Sequence, residues 1–265
     1  MRKDFDRAHL TAHGSVAVLT MNHPESLNAA SAKMVRSMLA ALDEIEAPDS
    51  GLRALVLTGD GRGFCSGANL TEPSEHGGKP LNVGETLDHV YHPLLRRLRD
   101  LRVPIVVAVN GAAAGVGMSL ALMGDVVIAA RSAYFLQAFA RIGLIPDGGS
   151  TWLLPRLIGF ARAKELSLLA EKLPAEKALE WGLINRVCDD VALKGEALKI
   201  AEKLAQGPTT ALVLTRALYF QSLDNVYERQ LEAERDAQVQ ASQTEDFREG
   251  IRGFINKQPA VFKGR

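Results

Sequence analysis

Four short, almost uninterrupted apolar runs punctuate the first half of the chain: Val16–Thr20, Ala54–Thr58, Ile105–Val109 and Asp125–Ala129. A strand with one wet face alternates apolar and polar residues. Runs without alternation belong to strands covered on both faces, the arrangement of a parallel sheet with helices packed over it. Segments of helical period separate the runs. Ser31 to Ile45 is one, with Ser31 placed to cap it and Ala47–Pro48 to close it; Val116 to Met123 is another. This alternation predicts an α/β fold. At 265 residues and 47% hydrophobic content the chain can bury a sizeable core.

Two of the runs lead straight into glycine-rich loops. Ala54–Gly59 enters the loop Asp60–Asn69, and Ile105–Asn110 enters Gly111–Ser119. What both loops offer is backbone. Small residues let the main chain approach a ligand closely, and two N–H groups aimed at one point form an oxyanion hole, which stabilises an enolate at a thioester carbonyl. For either loop alone, an ordinary strand-to-helix turn is the alternative. Nucleotide-binding patterns fail on spacing. Phe64 stands where a dinucleotide fingerprint opened by Gly59 and Gly61 needs its third glycine, Gly115-x-Gly117 is followed by Leu120, and there is no Gly-Lys-Ser/Thr triplet.

Charge and composition narrow the partners. The 31 basic and 31 acidic residues cancel, which argues against a nucleic-acid partner. Cys65 and Cys188 match no metal or redox spacing, so no metal site is expected and burial is the reading of both. The first residues lack the apolar stretch of a signal peptide, and no run approaches the ~20 residues of a membrane span; a cytoplasmic protein without a membrane partner is expected. The polar segment Thr71–Gly84 reads as a loop, either a substrate lid or a solvated excursion. Ala161–Ala170 and Pro174–Trp181 read as helices. From Val191 onward the chain reads as helical, broken at Gly207–Pro208. Tyr227–Asp246 is too polar for a buried helix and suits a subunit contact or a solvated face.

Residues 22–29, 57–70, 110–117 and 143–150, together with the tail 253–263, resemble the successive motifs of the crotonase superfamily, the enoyl-CoA hydratases and isomerases. The resemblance covers nearly the whole chain. It implies a spiral of β-β-α units over residues 1–190 and a helical region, residues 191–265, that builds trimers, often paired into hexamers. It implies an acyl-CoA thioester as substrate, with no separate cofactor, and a carbonyl oxygen held by the backbone N–H groups of Ser66 and Val116. Glu25, Ser26 and Leu27 match positions that line the CoA pocket. Gly67, Ala68, Asn69, Leu70 and Gly115 stand in the same two loops and are carried over with them as binding residues. Asn69 replaces the aspartate common at its place. Lys257, with Phe254 and Lys263, resembles tail residues that approach the nucleotide end; plain surface charge is the alternative for the two lysines.

The acid–base inventory separates the reactions within that superfamily. Its hydratases use two glutamates, and the matching positions here are Ser119 and Phe139, expected instead to line the acyl group. Adding water to a double bond needs a positioned base and a positioned acid, and neither is present. All six histidines lie at or before His92, and between Leu101 and Lys164 the only carboxylates are Asp125 and Asp147. Asp125 reads as a structural hydrogen-bonder at a strand entrance. Asp147 has two readings: N-cap of the following helix, or the acid/base that isomerases of the superfamily place at this turn. The stretch Phe135–Arg156 most resembles ring-1,2-epoxyphenylacetyl-CoA isomerases of aerobic phenylacetate breakdown. The expectation is an acyl-CoA isomerase that shuttles a proton on Asp147. An enoyl-CoA hydratase and a non-catalytic acyl-CoA or RNA binder on the same fold are the rivals.

Overall fold

The four apolar runs lie side by side in one sheet of the computed structural model, which describes residues 2–69 and 82–265. In chain order the strands are β1 (Arg2–Asp4), β2 (Ala8–His13), β3 (Val16–Met21), β4 (Ala54–Gly59), β5 (Gly63–Cys65), β6 (Ile105–Val109), β7 (Ala112–Ala114), β8 (Val126–Ala130), β9 (Tyr134–Leu136), β10 (Leu173–Pro174) and β11 (Arg186–Cys188). One sheet has the order β1-β2-β3-β4-β6-β8-β11 and the other β10-β9-β7-β5. The runs are β3, β4, β6 and β8, mutually parallel, with Val18 opposite Val56, Val56 opposite Val106 and Ala108 opposite Ile128. Every residue of β3 and β6 is buried, which is why neither run alternates. Asp125 stands just outside β8 rather than opening it.

From β4 onward the chain deals its strands alternately. β4, β6 and β8 join the larger sheet, and β5, β7 and β9 join the smaller. Each pair advances the chain one place in both sheets, which is the expected spiral. The turn inside each pair carries the main chain from one sheet to the other, and the two glycine-rich loops sit at two of these crossings.

The helices are α1 (Ala32–Glu46), α2 (Val83–Thr86), α3 (His92–Arg99), α4 (Val116–Ala121), α5 (Ser150–Ile158), α6 (Phe160–Leu169), α7 (Ala175–Glu180), α8 (Leu193–Ala205), α9 (Thr209–Ser222), α10 (Tyr227–Ser242) and α11 (Glu245–Asn256). A single π-helical turn, Leu87–Tyr91, joins α2 to α3. Ser31 caps α1 as expected, its Oγ accepting the Met34 N–H at 3.2 Å. Most of the expected loop Thr71–Gly84 lies outside the described residues. Its last three positions are not loop: Asn82 caps α2, which starts at Val83 and contains Gly84, by accepting the Glu85 N–H at 3.2 Å.

Residue 190 does not mark a break in packing. α8 buries Leu193, Ala197 and Ala201 against the sheet at β4 and β6. On α9 the buried Arg216 pairs with Asp125 at 3.1 Å and donates to the carbonyls of Leu101 and Val103. Asp125 also accepts the Ile105 N–H at 2.7 Å, a structural role. The expected single segment Tyr227–Asp246 is two helices, because the Thr244 hydroxyl accepts the Phe247 N–H at 3.0 Å and starts α11 there. α10 buries none of its residues. No helix among the described residues is long and apolar enough to cross a membrane.

Candidate active site

The first glycine loop is pinned by two asparagines. Asn28, fully buried in the left-handed region at φ 58°, donates to the carbonyls of Asp60 and Gly63, both at 2.8 Å. Asn110 donates to Gly61 and Gly63 at 3.0 and 3.1 Å. The loop then meets the turn that carries Glu25, Ser26 and Leu27. The Ser66 N–H donates to the Leu27 carbonyl at 3.0 Å and the Ser66 hydroxyl to the Ser26 carbonyl at 2.8 Å. This corrects the donor expected at Ser66: its N–H is engaged inside the protein and is not available to a thioester.

The available donor lies two residues further on. Ala30 donates its N–H to the Gly67 carbonyl at 2.7 Å and accepts the Asn69 N–H at 3.3 Å, a one-residue parallel pairing opposite Ala68. The residue between two such bonds turns its own N–H to the opposite side. Among the described residues no main-chain acceptor meets the Ala68 N–H, and none meets that of Val116. Val116 is the first residue of α4, where N–H groups have no partner inside the helix. The two donors are neighbours. A Cβ built on Gly115, at φ +52°, would stand 3.8 Å from the Gly67 Cα and 3.7 Å from the Phe139 ring. Tyr91, delivered by the π-helical turn, donates its hydroxyl to the Ala30 carbonyl at 2.8 Å and so braces the residue that holds the loop. Burial pushes its phenol well above the ordinary range.

Asp147 follows Pro146 at the foot of α5. The position next to the helix is Gly149, and no side chain caps this end. That removes the capping reading of Asp147. Its carboxylate Oδ1 is buried and meets no hydrogen-bond partner among the described residues. Burial raises the carboxyl to about 6, with His92 at the start of α3 acting in the opposite sense. The main chain of Asp147, by contrast, is tightly held: its carbonyl accepts the Ser150 N–H at 3.0 Å and the Ser119 hydroxyl at 3.2 Å. Ser119 is fully buried, so it does not line an acyl pocket as expected. Phe139, at the other hydratase-glutamate position, packs its ring against Gly115.

Glu25 is exposed on its turn, and the Ser26 hydroxyl lies 2.6 Å from His23 Nδ1. Lys257 is exposed at the left-handed end of α11; no hydrogen bond or ion pair among the described residues joins its side chain to the glycine loops. Leu70 lies outside the described residues. Among the described residues no group of three or more His, Cys, Asp and Glu side chains is placed to hold a metal ion. Sequence reading missed Tyr91, Gln137 and Ser150. Gln137 did leave a signal, since it is the single strongly polar residue between Ala133 and Ala140.

Two sheets wound in register, two amides without a main-chain partner among the described residues and one half-buried carboxyl fit the class of acyl-thioester enzymes. The enoyl-CoA hydratase/isomerase family model matches residues 11–265, and the chain belongs to that family. It is 45% identical over 251 residues to the 1,2-epoxyphenylacetyl-CoA isomerase of Escherichia coli K12, covering 94% of this chain and 95% of the relative. It is 44% identical over 250 residues to a protein of Rhodobacter capsulatus named "Probable enoyl-CoA hydratase", with the same coverage. A solved enoyl-CoA hydratase/isomerase from Cupriavidus metallidurans CH34 superposes with a TM-score of 0.90 at 33% identity, covering 99% of this chain and 98% of that one.

Proposed function

We propose that this enzyme is an acyl-CoA isomerase that moves a proton on one carboxylate, Asp147, beneath an oxyanion hole formed by the Ala68 and Val116 N–H groups. The observation that carries the reading is the Asp147 carboxyl itself, half-buried, its Oδ1 enclosed without a hydrogen-bond partner among the described residues and its pKa raised to about 6. A carboxyl near neutrality alternates between base and acid with little penalty. In the ionised form it takes a proton from the carbon alpha or gamma to the thioester carbonyl. The electron pair moves to the carbonyl oxygen, where the two N–H groups hold the enolate. The same carboxyl then returns the proton to a different carbon, so the product is an isomer and no water or cofactor enters.

The name of the Escherichia coli relative supports an epoxidised phenylacetyl thioester as one substrate, beside unsaturated acyl-CoA. A hydratase would need two carboxylates at Ser119 and Phe139. We read the active form as a homotrimer or a dimer of trimers in the cytoplasm. In support, α10 buries no residue, and Tyr219, Tyr227, Val239 and Phe254 stand exposed on α9, α10 and α11. A screen with 3-enoyl-CoA, 2-enoyl-CoA and epoxidised phenylacetyl-CoA tests the reaction. Isomerisation of the first or third is expected, with no hydration of the second. Efficient hydration of 2-enoyl-CoA, with neither of the others isomerised, overturns it.

A further inference from the structure

The polar groups beneath Asp147 form a chain with one direction. Gln137 Nε2 lies 3.2 Å from Ser150 Oγ, Ser150 Oγ lies 2.8 Å from Ser119 Oγ, and Ser119 Oγ lies 3.2 Å from the Asp147 carbonyl oxygen. All three side chains are fully buried. A carbonyl only accepts, so the Ser119 proton points to Asp147. Ser119 must then accept from the Ser150 hydroxyl, and Ser150 from the Gln137 amide. Each hydroxyl has one proton, and each is committed.

The chain starts at a informative place. Gln137 follows β9 directly, and the carbonyl of its neighbour Leu136 accepts the Gly115 N–H at 2.9 Å, immediately before Val116. The dipeptide Leu136–Gln137 therefore holds one hydrogen-bond donor of the oxyanion hole through its main chain and the acid/base turn through its side chain. Among the described residues nothing bonds Asp147 Oδ1, so its carboxylate is aimed by its backbone. That backbone is fixed by the two bonds to its carbonyl and by the turn at Gly148, φ +60°, which lies so close over Ser119 that a Cβ there would be 2.7 Å from Ser119 Cβ and Oγ.

We propose that Gln137, Ser150 and Ser119 are positioning residues, a buried hydrogen-bond chain that fixes the distance between the Asp147 carboxylate and the oxyanion hole by acting on the Asp147 main-chain carbonyl. The inference rests on the acid/base reading of Asp147. It turns the position of a hydratase glutamate, Ser119, into part of the support for a different acid/base.

The test is a mutant cycle on the full-length protein with 3-enoyl-CoA, using Ser119→Ala, Gln137→Met, their double variant and Asp147→Asn, with the fold of each checked by circular dichroism. A displacement of the order of 1 Å in a reacting group lowers turnover on the order of 10- to 100-fold. Ser119→Ala is expected to lose that much kcat while KM stays within about twofold, since the CoA ester does not touch it. Gln137→Met is expected to add little in the Ser119→Ala background, because one chain is broken only once. Wild-type kcat in a folded Ser119→Ala protein overturns the proposal, as do losses that multiply in the double variant. An inactive Asp147→Asn beside a fully active Ser119→Ala leaves the acid/base reading standing and removes this one. An active Asp147→Asn removes both.

Discussion

Replacing Asp147 with asparagine should make the protein inactive and, above pH 6, more stable. The ordinary aspartate value is 3.8, and burial raises this carboxyl to about 6. The folded state therefore holds the proton more tightly than the unfolded chain. Stability falls as pH rises from about 4 to about 6, and the penalty of the buried charge is fully present above that window. A difference of about two pKa units corresponds to about 3 kcal/mol at most. The side chain is only half-buried, so solvent screening reduces this to about 1 kcal/mol. Asparagine carries no charge and avoids the penalty. For a chain of this size the gain is a Tm roughly 2–4 °C higher at pH 8, disappearing below about pH 4. Turnover of 3-enoyl-CoA should meanwhile fall by roughly 10²–10⁴-fold. Melting curves at one fixed protein concentration across pH 4–8, beside steady-state rates, measure both. A variant that is less stable at pH 8 would show that the ionised carboxylate is paired and stabilising. A variant with near-normal turnover would show that it is not the proton carrier.

Three further outcomes follow from the same geometry. The kcat of the natural protein should drop about tenfold per pH unit below about 6, as Asp147 takes up its proton and ceases to act as a base; a flat profile down to pH 4.5 contradicts this. Ser119→Glu should not install hydration of crotonyl-CoA and should destabilise the fold by about 1–3 kcal/mol through overpacking against Gly148, readable by urea titration; new hydratase turnover in a stable variant refutes the packing reasoning. Light scattering at micromolar concentration should report three or six subunits, and a monomer would count against α10 as a subunit contact.

Much of this molecule was legible before any coordinates. Non-alternating runs become strands only where both faces are covered, and Val16–Thr20, Ile105–Val109 and their fellows obeyed that rule to within a residue. Ser31 signalled the start of α1 because a capping oxygen acts on its own neighbours. Asp147 was visible as the single unassigned carboxylate in a long stretch. The misreadings have a common cause. Whether the amide of Ser66 or of Ala68 is left without a main-chain partner among the described residues depends on the main-chain directions taken by the turn at Leu27 and by Ala30, whose bonds to the loop span 37 or more residues. The burial of Ser119, the bracing by Tyr91 and the packing of α8 past residue 190 likewise arise from contacts between distant segments, which leave no periodic trace in the sequence.

The contact between Gly148 and Ser119 has a consequence for how such enzymes change over generations. The two positions are not free to vary independently, since the space a longer side chain at 119 would occupy is taken by the turn at 148. If the proposed isomerase reading holds, a lineage starting from this sequence does not reach water-adding chemistry by a single exchange at residue 119. It must first relax the turn, and under the proposed acid/base role of Asp147 relaxing the turn releases that residue and forfeits isomerisation. Selection for either reaction thus meets a valley between them, and the order of substitutions decides whether it is crossed.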